Sequence, residues 1–341
     1  MIEPDIGFYV GAALPVLALG WVYRGGAIRR ADIVLQIPAW RHVAFAAGLG
    51  LFFLSVEWPF ARWAHELFFV HQIGIMIARI VSPMLIAVAR PAGLLIAGTP
   101  RPVREALLRP ALSDRRVQEA WRVIGSAPVA LLLYVAALYV WEIPATQTDA
   151  LINPVTGLTM HLSLWLAGLL FWSRIFARRP APHGVAYGAR LMMVWIAMLT
   201  QLPLGAYITV KRAILYPAYA LGEHFAGISP LADEAGGGFF IWVPSAFLTL
   251  AALIFVVDML GRHETRLDEK RRRWSPSNSA ILLYPETARA LRAMTRVKNR
   301  RMGIGMFGFG VAVFVAIWSM TVSGHRLNRR QNLQLYELSR R

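Results

Sequence analysis

The chain has 341 residues, of which 57% are hydrophobic, and it carries a formal net charge of +17 without any cysteine. Soluble domains are about 45–50% apolar, so the composition argues against a soluble globular protein, and the lack of cysteine excludes disulfides and thiolate metal sites. The arginines flank apolar runs rather than forming an aromatic-interleaved basic patch, so we expect no nucleic-acid partner.

Eight apolar runs of near twenty residues predict membrane-spanning helices. Each run is apolar all round rather than along one face, as a hydrocarbon core of about 30 Å requires. The two-residue alternation of a membrane β-barrel is missing. We therefore predict an all-α, polytopic transmembrane helix bundle with about eight spans, at 6–23, 42–58, 67–89, 127–143, 157–175, 191–210, 239–259 and 302–322.

The charges between these runs predict the orientation of the bundle. One set of alternate loops (24–41, 90–122, 174–190 and 261–301) holds 27 of the 36 Lys and Arg residues. Cytoplasmic loops are enriched in Lys and Arg, so we assign this set to the cytoplasm and both termini to the outside. Five arginines in the C-terminal tail run against this assignment.

Two of the cytoplasmic segments, 101–124 and 285–301, have amphipathic helical patterns. Basic amphipathic helices lie in the membrane interface and contact anionic lipid, so membrane lipids are expected partners. A solvated basic linker is the alternative for both segments.

Two histidines lie inside predicted spans, where ionisable groups are costly and indicate function. His71 and His161 each sit about one turn below the outer boundary of a span that runs inward, so we expect them at the same depth. Imidazole suits copper in either oxidation state, and a pair of histidines can also ligate haem. Simple hydrogen bonding to neighbouring helices remains the alternative.

Four further residues extend the candidate site. Met76 and Met160 are close to the histidines in sequence, and thioether sulfur suits Cu(I), although such methionines are more often packing residues. Glu142 ends the fourth span at the outer side and is a further candidate metal ligand. Arg79 lies near the bilayer midplane, where a guanidinium must face the bundle interior; we interpret it as either a site for an anionic group of a cofactor or lipid, or a structural cross-link.

The remaining outer acids, with Asp233 and Glu234 among them, are expected to be solvated. The chain has no hydrolase elbow, P-loop, dinucleotide fingerprint or HExxH motif. We therefore expect neither an enzyme nor an ATP-driven pump.

Several short motifs follow one another along most of the chain. They are Ile2-Glu3-Pro4, Leu67-Phe68-Phe69-Val70-His71, Val81-Ser82-Pro83-Met84-Leu85, Arg90-Pro91, Trp141-Glu142-Ile143-Pro144, His161-Leu162-Ser163, Ala167-Gly168-Leu169-Leu170-Phe171-Trp172, Leu204-Gly205-Ala206, Tyr216-x-x-Tyr219, Ala232-Asp233-Glu234 and Gly237-Gly238-x-x-x-Trp242-Val243-Pro244. No single motif is specific, but in their order and spacing they resemble the CtaG-type cytochrome c oxidase assembly factors of bacterial membranes, over roughly residues 3–260.

The resemblance implies a protein of the bacterial inner membrane that contacts terminal oxidase subunits and helps to mature their copper site. His71 and His161 would be retained metal contacts, with copper as the candidate ligand and haem as the less favoured one. Three positions where the family usually has histidine are different here: Ile75, Glu142 and Gly157. The chain therefore resembles a divergent member.

The loss of these histidines leaves a second function open: an accessory subunit that stays bound to a respiratory oxidase and delivers no metal. A transporter is the least favoured class, since only one charge lies near midspan and no inverted repeat is evident. We divide the chain into a CtaG-like membrane domain (1–260), a basic cytoplasmic loop (261–301) and a last span with a basic tail (302–341).

Overall fold

The computed structural model describes residues 6–56, 60–177, 184–220 and 227–272, together with 296, 300, 301, 303–313 and 315. The regular structure in this part of the chain is entirely helical, which confirms the predicted fold class. The main helices are α1 (Ile6–Arg29), α2 (Ala39–Val56), α3 (Phe60–Glu66), α4 (Phe68–Ala89), α5 (Ala92–Gly98), α6 (Arg115–Ile124), α7 (Ala127–Trp141), α8 (Pro144–Ile152), α9 (Pro154–Ile175), α10 (Tyr187–Val210), α11 (Pro217–Ala220) and α12 (Pro230–Arg272).

Five of these helices are long and apolar enough to cross a membrane: α2, α4, α9, α10 and α12. The pair α6 and α7 makes a sixth candidate, although the two helices are bent by 62° at their junction. The predicted span 6–23 lies within α1, a helix of 24 residues. Of the predicted span 302–322, the helix Gly303–Val313 is seen, and most of the remainder lies outside the described residues.

The longest helix, α12, has 43 residues, which at 1.5 Å per residue is about 64 Å and twice the thickness of a hydrocarbon core. Its basic C-terminal part therefore extends beyond the membrane. There Asp258 pairs with Arg262 at 2.8 Å, both partly exposed. The predicted boundary at residue 260 falls inside this continuous helix.

Glycines allow the close helix crossings of the bundle. α10 and α12 meet where a Cβ on Gly205 would lie 2.6 Å from the Trp242 ring and one on Gly238 would lie 2.6 Å from the Thr209 backbone nitrogen. Small residues at such crossings let backbones approach in membrane proteins. α4 and α9 are held close in the same way, because Gly168 faces the backbone carbonyl of Arg79.

The segment 101–124, which the charge pattern assigns to the cytoplasm, is helical as predicted and consists of short α- and π-helical pieces that end in α6. Asp114 caps α6 by accepting hydrogen bonds from the backbone N–H groups of Arg116 and Val117. No residue of α6 is buried, and its Trp121 is 62% exposed. Its contact with lipid remains a prediction, and most of the segment 285–301 lies outside the described residues.

Candidate functional site

The two histidines predicted to share one depth lie side by side. The ring centroids of His71 on α4 and His161 on α9 are 6.0 Å apart, and both side chains are buried. The ring of Tyr219 also neighbours His71, with its centroid 6.0 Å from that of the histidine. The Nε2 atom of His71 is buried without a hydrogen-bond partner among the described residues.

The orientation of His161 is fixed by its own helix. Its Nδ1 atom lies 2.9 Å from the carbonyl oxygen of Gly157, one turn earlier on α9. Because a carbonyl oxygen only accepts hydrogen bonds, Nδ1 carries the proton and Nε2 keeps its lone pair. This is the tautomer that a metal-binding imidazole needs, since the other ring nitrogen is typically hydrogen-bonded in this way.

Glu142, at the C-terminal end of α7, is buried and hydrogen-bonded to Gln72 of α4 and to Tyr216, which precedes α11. Its Oε2 accepts hydrogen bonds from Gln72 Nε2 at 3.2 Å and from the Tyr216 hydroxyl at 3.1 Å, while Oε1 has no partner. Burial raises the pKa of the Glu142 carboxyl to about 7. Its hydrogen-bond partner Gln72 is adjacent to His71 in the chain, so Glu142 adjoins the histidine pair.

Two tyrosines close the outer side of this cluster. The Tyr216 hydroxyl also donates to the Glu142 carbonyl oxygen at 2.9 Å, and the Tyr219 hydroxyl lies 3.5 Å from Gln147 Nε2. Burial raises the pKa of both tyrosines above the ordinary value, so both stay protonated donors. Their rings pack against Phe68 at the start of α4.

The expectation that Asp233 and Glu234 are solvated is wrong. Asp233 accepts hydrogen bonds from the backbone N–H groups of Phe68 and Phe69 at 2.8 and 2.9 Å, and so caps the free N–H groups at the start of α4. Glu234 pairs with buried Lys211 and accepts from the backbone N–H groups of Leu215 and Tyr216. The two acids thus position the helix and the loop that carry His71 and Tyr216.

The two candidate methionine ligands pack among apolar side chains, and their role as ligands stays a prediction. Met160 is fully buried in a hydrophobic cluster with Ile75 and Leu164, and Met76 packs against the cluster of Ile80 and Trp172. No group of three or more His, Cys, Asp or Glu side chains in the described part of the chain is arranged to hold a metal ion. The structure therefore brings together His71 and His161, with Glu142 in the adjoining hydrogen-bond network.

Arg79 lies deeper in the bundle, on a π-helical segment of α4 (Ile77–Val81). Its Nη2 donates to Gln201 Oε1 on α10 at 2.6 Å, and its guanidinium carbon lies 4.5 Å from the ring centroid of Tyr134 on α7. Arg79 is 3% and Gln201 1% exposed. The arginine therefore faces the bundle interior, as expected of a charged group at this depth.

Reasoning from ionisable residues alone missed the amides of the site, Gln72, Gln147 and Gln201. Each is a polar residue in or next to an apolar run, and a buried amide needs partners as much as a charge does. The signal was present in the sequence for Gln72, which follows His71 directly, and for Gln201, which lies inside the predicted span 191–210.

The fold and the site define a polytopic helical membrane protein with a buried histidine pair and an adjoining polar network at one end of its bundle. The chain belongs to the cytochrome c oxidase caa3 assembly factor family (Caa3_CtaG), whose sequence model matches residues 20–262. This confirms the resemblance drawn from the motifs. No curated protein and no solved structure matches the chain.

Proposed function

We propose that this protein helps to mature the copper site of a haem–copper terminal oxidase, from the outer face of the bacterial inner membrane. It acts on oxidase subunits as a non-catalytic partner, with Cu(I) as transient cargo. Family membership supports the assembly role. The observation that supports the copper step is the histidine pair, in which His71 Nε2 is buried and has no hydrogen-bond partner in the described part of the chain.

The pair fits a soft, low-coordinate ion. Metal–nitrogen bonds to imidazole are about 2.0 Å long, and a centroid separation of 6.0 Å leaves room for one ion between the two rings. Cu(I) accepts few ligands, and imidazole suits it. His161 presents an unprotonated Nε2, since its Nδ1 is held by the Gly157 carbonyl.

A weak, two-histidine site suits delivery better than storage. A cargo ion must leave again, and a closed site with four protein ligands holds a metal for structural purposes. The hydrogen-bonded Gln72 and Glu142 beside the pair keep the surroundings polar without adding a strong third ligand. A site of this kind would hold Cu(I) transiently.

Copper binding to the detergent-purified protein under reducing conditions tests the proposal. We expect equimolar Cu(I) in the parent chain and a loss of at least tenfold in affinity in the variant His71→Ala, His161→Ala. The matched control is His263→Ala, since His263 lies at the cytoplasmic end of α12 and packs beside Tyr187. In cells that carry the double variant, the oxidase should contain less copper at an unchanged level of the assembly protein.

A different result would support the accessory subunit instead. If the parent chain binds no copper but purifies with oxidase subunits in equal amounts, the copper step is wrong and the protein is a stable component of the complex. If copper binding is unaffected in the double variant, the histidines are packing residues and the site lies elsewhere.

A further inference from the structure

Arg79 carries a positive charge in the membrane interior and forms no ion pair with any of the described residues. Glu142 is an acid that interacts with it electrostatically, but the Oε2 atom of Glu142 is hydrogen-bonded to Gln72 and Tyr216, and no hydrogen bond joins this carboxyl group to the guanidinium. A buried charge is costly unless it is both paired and hydrogen-bonded, so the donors of Arg79 require an acceptor closer than Glu142.

Several donors around Arg79 lack a partner among the described residues. They are Arg79 Nε, Gln201 Nε2 and the hydroxyl of Tyr134, and all three atoms are buried. The oxygen of Gln201 accepts a hydrogen bond from Arg79 Nη2, which leaves the amide nitrogen of Gln201 as a donor. Trp172, whose ring meets Tyr134 edge-on, adds an N–H donor.

Another buried arginine, Arg190, shows how a structural arginine is held. Arg190 donates to the backbone carbonyl oxygens of Val185, Ile175 and Ala177, at 2.9, 3.3 and 2.7 Å. Those carbonyls lie near the ends of helices, where acceptors are left over. Arg79 has no such carbonyl among its hydrogen bonds and sits in the middle of a helix.

The backbone at Arg79 is unusual in the same place. The segment Ile77–Val81 is π-helical inside an otherwise α-helical span, and single π-helical turns are frequent at functional sites. Gly168 allows α9 to lie against the carbonyl of Arg79. The turn that positions the guanidinium is therefore both irregular and closely packed.

We propose that Arg79, Gln201 and Tyr134 bind a small monovalent anion, chloride, between α4, α7 and α10. A halide is an acceptor for N–H and O–H donors alone, and its charge neutralises the guanidinium. The burial of Arg79 and Gln201 favours a small ion from solution over a carboxylate brought by another protein. This inference concerns a different part of the bundle from the histidines and stands without the copper proposal.

Chloride-dependent stability of the detergent-purified protein provides the first test. Thermal unfolding is compared in sodium chloride and in sodium gluconate at equal ionic strength. A ligand that binds only the folded state raises the melting temperature, and we expect a rise of about 3 °C or more in chloride. Bromide should act like chloride, and gluconate is too bulky for a buried site.

Variants locate the effect. Arg79→Gln removes the charge but keeps a donor, and it should abolish the difference between chloride and gluconate. Arg190→Gln is the matched control, since it also removes a buried guanidinium and should lower stability in both salts while the difference remains. A chloride effect that persists in Arg79→Gln would place the ion elsewhere and overturn the site.

Equilibrium binding of ³⁶Cl⁻ to the wild-type protein gives an answer even if Arg79→Gln does not fold. We expect saturable binding, with equimolar chloride at saturation, that bromide displaces and gluconate or acetate does not. Displacement by acetate would indicate a carboxylate site instead of a halide site. Absence of saturable binding, with equal melting temperatures in the two salts, would mean that water satisfies these donors and that the proposal is wrong.

Discussion

At the scale of single residues, Glu142 couples the stability of the outer cluster to pH. Its carboxyl is buried, which raises its pKa from 4.5 to about 7. The folded protein therefore favours the protonated form more than the unfolded chain does. The stabilisation is complete below about pH 4.5 and is lost as the pH rises through about 7.

The substitution Glu142→Gln tests this coupling, since glutamine keeps hydrogen-bonding groups for Gln72 and Tyr216 but does not titrate. The wild-type free energy of unfolding should fall between pH 4.5 and 8 by up to about 3 kcal/mol more than that of the variant. Denaturation in detergent at several pH values measures the difference. Asp149→Asn, at an exposed acid of α8, is the control for removing a carboxyl group outside the buried cluster. Equal slopes in wild type and Glu142→Gln would contradict the prediction.

For single residues, the sequence predicted the depth of a side chain in the bundle correctly, because depth depends only on position along one helix. His71 and His161 were predicted at one depth because each lies about one turn from the same end of its span. The sequence-based expectation failed for Asp233 because the partner of that carboxylate, the N-terminus of α4, is 165 residues away in the chain. No local pattern identifies an acid that caps a distant helix.

At the scale of helices, α5 is held against α1 by two glycines. A Cβ on Gly98 would overlap the Val22 carbonyl oxygen, and one on Gly26 would overlap the Leu94 carbonyl oxygen. The contacting atoms are backbone atoms, which cannot move as a flexible side chain can. Arg29 then caps the C-terminal end of α5, with Nη1 3.0 Å from the Ala97 carbonyl oxygen.

Gly98→Ala should therefore separate α5 from α1. We expect a loss of about 1–3 kcal/mol in the free energy of unfolding from overpacking, and faster hydrogen exchange in α5. The matched control is Gly93→Ala in the same helix, where an added Cβ meets no atom within 4 Å. Alanine is the better helix former by about 1 kcal/mol, so the control should be neutral or slightly stabilising. Similar losses in both variants would show that the glycines act through flexibility instead of packing.

Helix breaks were the part of the fold that hydropathy could not predict. The apolar run 67–89 reads as one uniform span, yet α4 changes to a π-helix at Ile77–Val81 and ends at Arg90 with φ of 55°. The apolar composition of a segment indicates that it lies in lipid or in the protein interior, but it does not distinguish an α-helical turn from a π-helical one. The register shift around Arg79 depends on how α4 packs against α7, α9 and α10, which composition does not encode.

At the scale of the whole molecule, the charge distribution predicts which side of the membrane holds the histidine cluster. His71, His161 and Glu142 lie at the end of the bundle away from the basic segments 24–41 and 90–122, which belong to the loop set that holds 27 of the 36 basic residues in the sequence. The helix directions agree with one orientation: α4 and α9 run from this end toward the basic side, and α7 returns to it. The positive-inside rule then places the cluster outside, where oxidase copper would be received.

Variants with one introduced cysteine test this orientation. The wild-type sequence contains no cysteine, so a thiol reagent labels only the introduced residue. In intact spheroplasts, a membrane-impermeant maleimide should label Asp149→Cys on the outer helix α8 and leave Gln118→Cys on α6 unlabelled until the membrane is permeabilised. Both positions are exposed in the structure, so the difference reports the side of the membrane and not burial. The reverse pattern would place the histidine pair at the cytoplasmic face. Copper would then have to reach it from the cytoplasm, and the proposed delivery route would be wrong even if the site binds Cu(I).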